Sequence, residues 1–277
     1  MEDNIVDIGG LFLHVVQAGP ATGEPVILLH GFPDAWFAWQ KQLQALAEAG
    51  FNAFAIDQRG YNLSDKPQNV INYTTDVLVA DVLRVANHFG ISSFHLLGHD
   101  FGALISWQLA LHHPERLKRM IIVNVPHPFV LNKFLLSRPT QMLKSAYMAF
   151  FQLPYLPEAV LKLNNWKLLT SQLSGRLTDA QVEQYRAAWA KPGAIKSMLN
   201  WYRALKWSRQ GGGDGSVKIP TRIIWGKKDP YLMHGMAIES VNFLEKGSLY
   251  TLQEAGHWVQ HDEWEEFNRL MLEHLLM

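Results

Sequence analysis

The chain of 277 residues contains no cysteine, which excludes disulfides, thiolate metal ligands and a cysteine nucleophile. It has no excess of either charge, since Lys and Arg total 25 and so do Asp and Glu. Nothing in that overall balance points to nucleic acid or to an anionic membrane. No apolar run is long enough to cross a bilayer. The acidic opening Met1-Glu2-Asp3-Asn4 lacks the basic and then apolar pattern of a secretory signal. The expectation is a soluble, cytoplasmic protein with neither a nucleic-acid nor a membrane partner. No cluster of histidines and carboxylates has metal-ligand spacing, so no metal and no cofactor is expected. What is plentiful is aromatic. Ten Trp and fourteen Phe are enough for a core and for the walls of an apolar pocket.

The pattern of elements predicts an α/β fold. Ile5–Ile8 and Leu11–Val16 flank Gly9-Gly10 and read as a hairpin. Val26–Leu29, Phe51–Ile56, Phe94–Leu97 and Met120–Val123 are short apolar runs suited to strands buried on both faces. Between them, Trp36–Ala49 has helical spacing, and so has a segment that Thr75 is positioned to cap. This alternation predicts a mostly parallel central sheet covered by helices on both faces. It stops after Pro126-His127-Pro128. From Phe129 to about Gly215 the helix-like segments are Leu131–Leu136, Met142–Phe151, Glu158–Leu169 and Ala180–Trp189, closed by the glycine-rich run Gly211–Gly215. Strand-like runs resume at Thr221–Trp225 and Ser248–Leu252, before a C-terminal helix. The expected organisation is a core over residues 1–128 and 216–277 with a helical cap over 129–215.

Gly98-His99-Asp100-Phe101-Gly102 is the most informative stretch. It lies between a strand-like and a helix-like run, the setting of the G-x-S-x-G nucleophile elbow. Its central residue is aspartate. A carboxylate needs no deprotonation at neutral pH and can attack a saturated carbon to give an alkyl ester. That substitution moves the expected chemistry from acyl transfer to alkyl transfer.

Other motifs fall in a fixed order around it. They are His30-Gly31-Phe32-Pro33-Asp34 with Trp36 and Trp39, Asp57-Gln58-Arg59-Gly60-Tyr61-Asn62-Leu63-Ser64, Trp225-Gly226-Lys227-Lys228-Asp229 and Gly256-His257-Trp258. Together they make the chain resemble the epoxide hydrolase family of α/β-hydrolases along nearly its whole length. Asn62 and Phe101 depart from it, standing where relatives often carry glycine and tryptophan. In α/β-hydrolases the nucleophile comes first, the acid next and the histidine last, an order kept by Asp100, Asp229 and His257. Histidine would deprotonate water, and the second carboxylate would fix its tautomer. The plainer alternatives are a turn aspartate before Pro230 and a surface histidine. The resemblance further implies that the backbone N–H groups of Phe32 and Phe101 form an oxyanion hole. It makes Tyr147 and Tyr202 the cap phenols that hold the epoxide oxygen, Tyr155 and Tyr185 being competitors for the first role. Trp36, Phe32, Phe101, Trp201, Phe151 and Trp258 are expected at the substrate.

The expected reaction converts a small apolar or aryl epoxide and water to a vicinal diol, in a monomer or homodimer. Two rivals remain at this level. A dehalogenase would use the same triad with a halide donor, for which Trp36 is the candidate. A catalytically silent binding protein would keep only the fold.

Overall fold

The structure is a computed structural model and describes residues 1–173, 175–208 and 213–277. Gly9 and Gly10, at φ +100° and +84°, take backbone angles that side chains disfavour. They turn β1 (Glu2–Asp7) onto β2 (Phe12–Ala18) as an antiparallel hairpin. The strands that follow are β3 (Pro25–Leu29), β4 (Asn52–Ile56), β5 (Phe94–His99), β6 (Leu117–Val123), β7 (Thr221–Gly226) and β8 (Gly247–Leu252). They form one sheet in the order β1-β2-β4-β3-β5-β6-β7-β8, parallel from β4 onward.

Helices cover both faces because successive strand residues point in opposite directions. Val26 and Leu28 join one apolar cluster, with Leu43 of α1 (Gln40–Glu48) and Phe267. Ile27 and Leu29 join the other, with Val82 of α2 (Thr75–His88) and Ile105 of α3 (Phe101–His112). The expected α/β-hydrolase fold is present. The start of α2 differs in detail from expectation. Thr74 occupies the N-cap, without a side-chain cap bond, and Thr75 is the first helical residue.

Between β6 and β7 the described residues contain helices and no strand. These are α4 (Pro128–Ser137), α5 (Pro139–Lys144), α6 (Ala146–Phe150), α7 (Leu156–Gln172), α8 (Asp179–Trp189) and α9 (Ala194–Ala204). The helix expected over Met142–Phe151 is divided at Ser145. The one expected over Glu158–Leu169 is interrupted, with Asn164, Asn165 and Trp166 at φ +49°, +54° and +63°. Asparagine tolerates that region better than most residues, which explains two of the three positions. Gly211 and Gly212 of the expected return linker lie outside the described residues. The chain finishes with α10 (Gly235–Ser240), α11 (Val259–Asp262) and α12 (Trp264–Leu276). No helix among the described residues is long and apolar enough to cross a membrane.

Candidate active site

The site begins at the turn from β5 to α3. Asp100 sits there at φ +52° and ψ −122°, a strained conformation for a residue with a side chain. The surrounding glycines are forced by contact. A Cβ on Gly102 would lie 2.1 Å from the Leu29 carbonyl oxygen, and one on Gly98 would lie 2.5 Å from that of Gly102. The tight turn lifts Asp100 off the sheet. The Phe32 amide, from the loop after β3, donates to its Oδ1 at 2.8 Å. The Phe32–Pro33 peptide bond is cis.

Parallel strands bring distant residues to the same end of the sheet. Asp229 follows β7 and His257 follows β8. His257 donates from Nδ1 to Asp229 Oδ2 at 2.8 Å, and its Nε2 lies 3.6 Å from Asp100 Oδ2. The imidazole thus stands between two carboxylates, with Asp229 buried and Asp100 open to a cavity. Asp229 is held from all sides. Its Oδ1 accepts from the amides of Tyr231 and Leu232 at 2.7 and 2.9 Å, and its Oδ2 accepts from Asn124 Nδ2 at 2.6 Å.

Burial alone would raise the carboxyl pKa of Asp100 and of Asp229, yet both are lowered. His257 provides the main opposing effect in each case, and backbone N–H donors add to it. Burial disfavours the charged ring of His257, but the two carboxylates outweigh it and raise the pKa to about 10. A group whose pKa is higher folded than unfolded adds stability that is complete below the unfolded value. That stability is lost as pH rises through the folded value. The melting-temperature margin of the parent over His257→Gln is therefore expected to shrink between about pH 6.5 and the folded value. Thermal unfolding across that range checks it, and a constant margin would count against it.

Above Asp100 lies a cavity in two lobes of about 220 and 240 Å³. The first runs past His257, Tyr231 and Trp258 beneath α7, and the second runs past Leu104, Leu131 and Met148 beside α4 and α6. Among the described residues, only Asp100, Tyr147 and Tyr202 line both. Burial, foremost, and then nearby acidic groups including Asp100 push both phenol pKa values up, so the rings stay protonated donors.

The chain matches the model of the alpha/beta hydrolase fold over residues 24–263. It is 40% identical over 275 residues to the AB hydrolase superfamily protein YfhM of Bacillus subtilis, across 98% of this chain and 96% of that one. It is 34% identical over 273 residues to epoxide hydrolase 4 of Homo sapiens, across 95% of this chain and 75% of that one. A crystal structure of Bacillus megaterium epoxide hydrolase in complex with an inhibitor matches with a TM-score of 0.92. The identity there is 32%, covering 99% of this chain and 100% of that one. The chain belongs to the epoxide hydrolase family of α/β-hydrolases.

Seen as a member of the epoxide hydrolase family, the chain brings most of its expected site residues together. Phe32, Phe151 and Trp258 line the first lobe and Phe101 the second. Trp36 and Trp201 line neither. The backbone amide of Trp36 donates to Asp57 Oδ1 at 2.8 Å and its ring packs on Phe37. The Trp201 indole donates to the Arg59 carbonyl at 3.0 Å and packs on Tyr61 and Phe101, one layer behind the cavity wall. Of the competing tyrosines, Tyr155 is exposed and Tyr185 donates its hydroxyl to buried Asp34 at 2.9 Å.

The sequence alone assigns no role to three residues around Asp100, Asp229 and His257. Asn124, at φ +52°, also donates to the Gly256 carbonyl at 3.1 Å and so joins the loops that carry Asp229 and His257. Tyr231 packs edge-on against the His257 ring at 5.1 Å. Asp34 accepts from Trp258 Nε1 at 3.1 Å, tying the loop after β3 to the residue beside His257. Asn124 leaves a sequence signal as a polar residue directly after an apolar strand, and Asp34 leaves one as the last residue of His30-Gly31-Phe32-Pro33-Asp34.

Proposed function

We propose that the protein hydrolyses an epoxide to a vicinal diol through an alkyl ester on Asp100. The observation that carries this reading is that Asp100 and the two phenols of Tyr147 and Tyr202 form the common wall of both lobes. An epoxide ring placed there has its carbon at the carboxylate and its oxygen at the phenols, with one substituent directed into each lobe.

With Oδ1 held by the Phe32 amide, Oδ2 attacks a ring carbon. The new C–O bond forms as the ring C–O bond breaks, and the electron pair leaves on the ring oxygen. That oxygen takes a hydrogen bond, and then a proton, from Tyr147 or Tyr202. The ester removes the charge on Asp100, which is one of the two charges raising the His257 pKa. The histidine then gives up its proton, which restores the phenol that served the ring oxygen, and becomes a base for water. Water attacks the ester carbonyl carbon, and the Phe32 and Phe101 amides receive the negative charge on Oδ1. Collapse breaks the acyl C–O bond, the departing oxygen takes the proton from His257 to complete the diol, and the carboxyl that remains returns its proton to the histidine. Residues 129–215 act as the cap in this scheme, supplying the phenols while the core supplies the triad.

The dehalogenase alternative requires donors for a departing halide. Trp36 lies away from both lobes and the side chain of Phe101 has no N–H, so the phenols favour epoxide opening. Their contribution is measurable. Loss of one charge-assisted hydrogen bond costs about 1.5–3 kcal/mol, or on the order of ten- to a hundredfold in the alkylation rate. Tyr147→Phe and Tyr202→Phe are each expected to fall in that range, and the double variant to lose nearly all ring opening while keeping its fold. Pre-steady-state alkylation with an aryl epoxide tests this. Near-parental rates in the double variant would favour the halide chemistry instead.

A further inference from the structure

The chain is neutral as a whole, but its charge is segregated. Residues 129–208 carry eleven Lys and Arg against three Asp and Glu, leaving fourteen against twenty-two elsewhere. No acidic residue stands between Glu115 and Glu158. The structure sorts these basic residues further. Lys133, Arg176, Arg186 and Arg203 each meet a carboxylate. Arg138, Lys162, Lys167, Lys196 and Lys206 are exposed and make no ion pair among the described residues.

Among the described residues the same segment holds nine of the eighteen large apolar side chains that stand exposed, in under a third of the chain. The two properties coincide along α7. Its buried residues Leu161 and Leu169 face the first lobe, while Lys162, Leu163, Lys167 and Leu168 are exposed. The turn into α7 adds Leu153, Tyr155 and Leu156. Tyr155 is held at φ +63° with its side chain 85% exposed. A left-handed backbone is unfavourable for such a residue, and this ring gains no burial in return. Lysines alone would match any acidic partner. Lysines interleaved with wet leucines and a tyrosine match a surface that is anionic at its face and apolar beneath.

We propose that α7 and the turn before it dock on an anionic lipid bilayer. Leu168 is both exposed and part of the first lobe, so docking sets that lobe against the phase in which apolar molecules concentrate. The neutral overall balance, which pointed away from anionic membranes, is the average of two opposite regions. This docking is independent of the reaction proposed above.

Flotation of the full chain with vesicles of phosphatidylcholine, alone or with phosphatidylglycerol, tests the proposal. Retention is expected only on the anionic vesicles and is expected to fall as salt is raised, each lysine near the surface contributing about fivefold. Lys162→Glu combined with Lys167→Glu should reduce the bound fraction by roughly tenfold or more. Tyr155→Ser combined with Leu163→Ser should weaken binding at constant charge. An unchanged melting temperature serves as the fold control. Turnover of a water-soluble epoxide, measured in parallel, separates a failure of docking from a failure of the epoxide reading. Equal retention on both vesicle types, or an unaltered bound fraction in the charge-reversed variant, overturns the proposal. So does self-association that the lysine changes abolish without any vesicle binding, which would assign the face to a second copy of the chain.

Discussion

Asp100→Ala is expected to fold like the parent and to lose turnover by on the order of 10⁴-fold or more, as removal of a covalent nucleophile does. Its side chain faces a cavity, and removing the carboxylate takes away only the acceptor of the Phe32 amide and one of the two charges facing His257. The melting temperature should therefore fall by a small amount while activity disappears. The chemical identity of the lost step is checked with the parent in isotopically labelled water under single-turnover conditions. If the carboxylate attacks first, the first diol carries an oxygen from Asp100, and solvent label appears in the enzyme. Label in the first diol would mean that water attacks the epoxide directly.

His257→Gln should divide the reaction at its midpoint. In the proposed scheme alkylation needs the Asp100 carboxylate and the two phenols, whereas ester hydrolysis needs a base. The variant is expected to bind one substrate equivalent covalently and then stall, visible as a rise in intact mass. Hydrolysis should slow by on the order of 10²–10⁴-fold, the usual contribution of general-base catalysis. A variant with neither adduct nor turnover would show that the histidine is needed already for alkylation. That result would contradict the division of labour proposed here.

The core was readable in the sequence because its constraints fix residue type and chain order. The elbow glycines are dictated by carbonyl oxygens 2.1 and 2.5 Å from where a Cβ would stand, and such contacts leave no alternative residue. The order of Asp100, Asp229 and His257 follows from parallel strands that end at one edge of the sheet. Aromatic residues near motifs were less informative. Trp201 and Tyr202 are neighbours on α9, but successive helical residues diverge by about 100°. One ring therefore reaches the cavity while the other packs behind it. Trp36 shows the same limit, because a backbone N–H rather than its ring makes the useful contact. Asn124, Tyr231 and Asp34 depend on partners 105, 26 and 224 residues away in the chain, separations that no local pattern encodes. The break in α7 at two asparagines was masked by apolar spacing that continues on both sides. Charge segregation was hidden by summation, and it emerges only once the limits of the insert are drawn.

The two-lobed cavity has a consequence for how selectivity varies. The lobes share no lining except Asp100, Tyr147 and Tyr202 among the described residues, so each arm of a bound molecule is read by its own set of side chains. Free-energy changes usually add at lining residues that do not touch the shared Tyr202, on which Phe32 and Phe151 of the first lobe and Phe101 of the second all pack. Preference for one arm and preference for the other then multiply as independent factors, and either is free to drift under selection without retuning its counterpart.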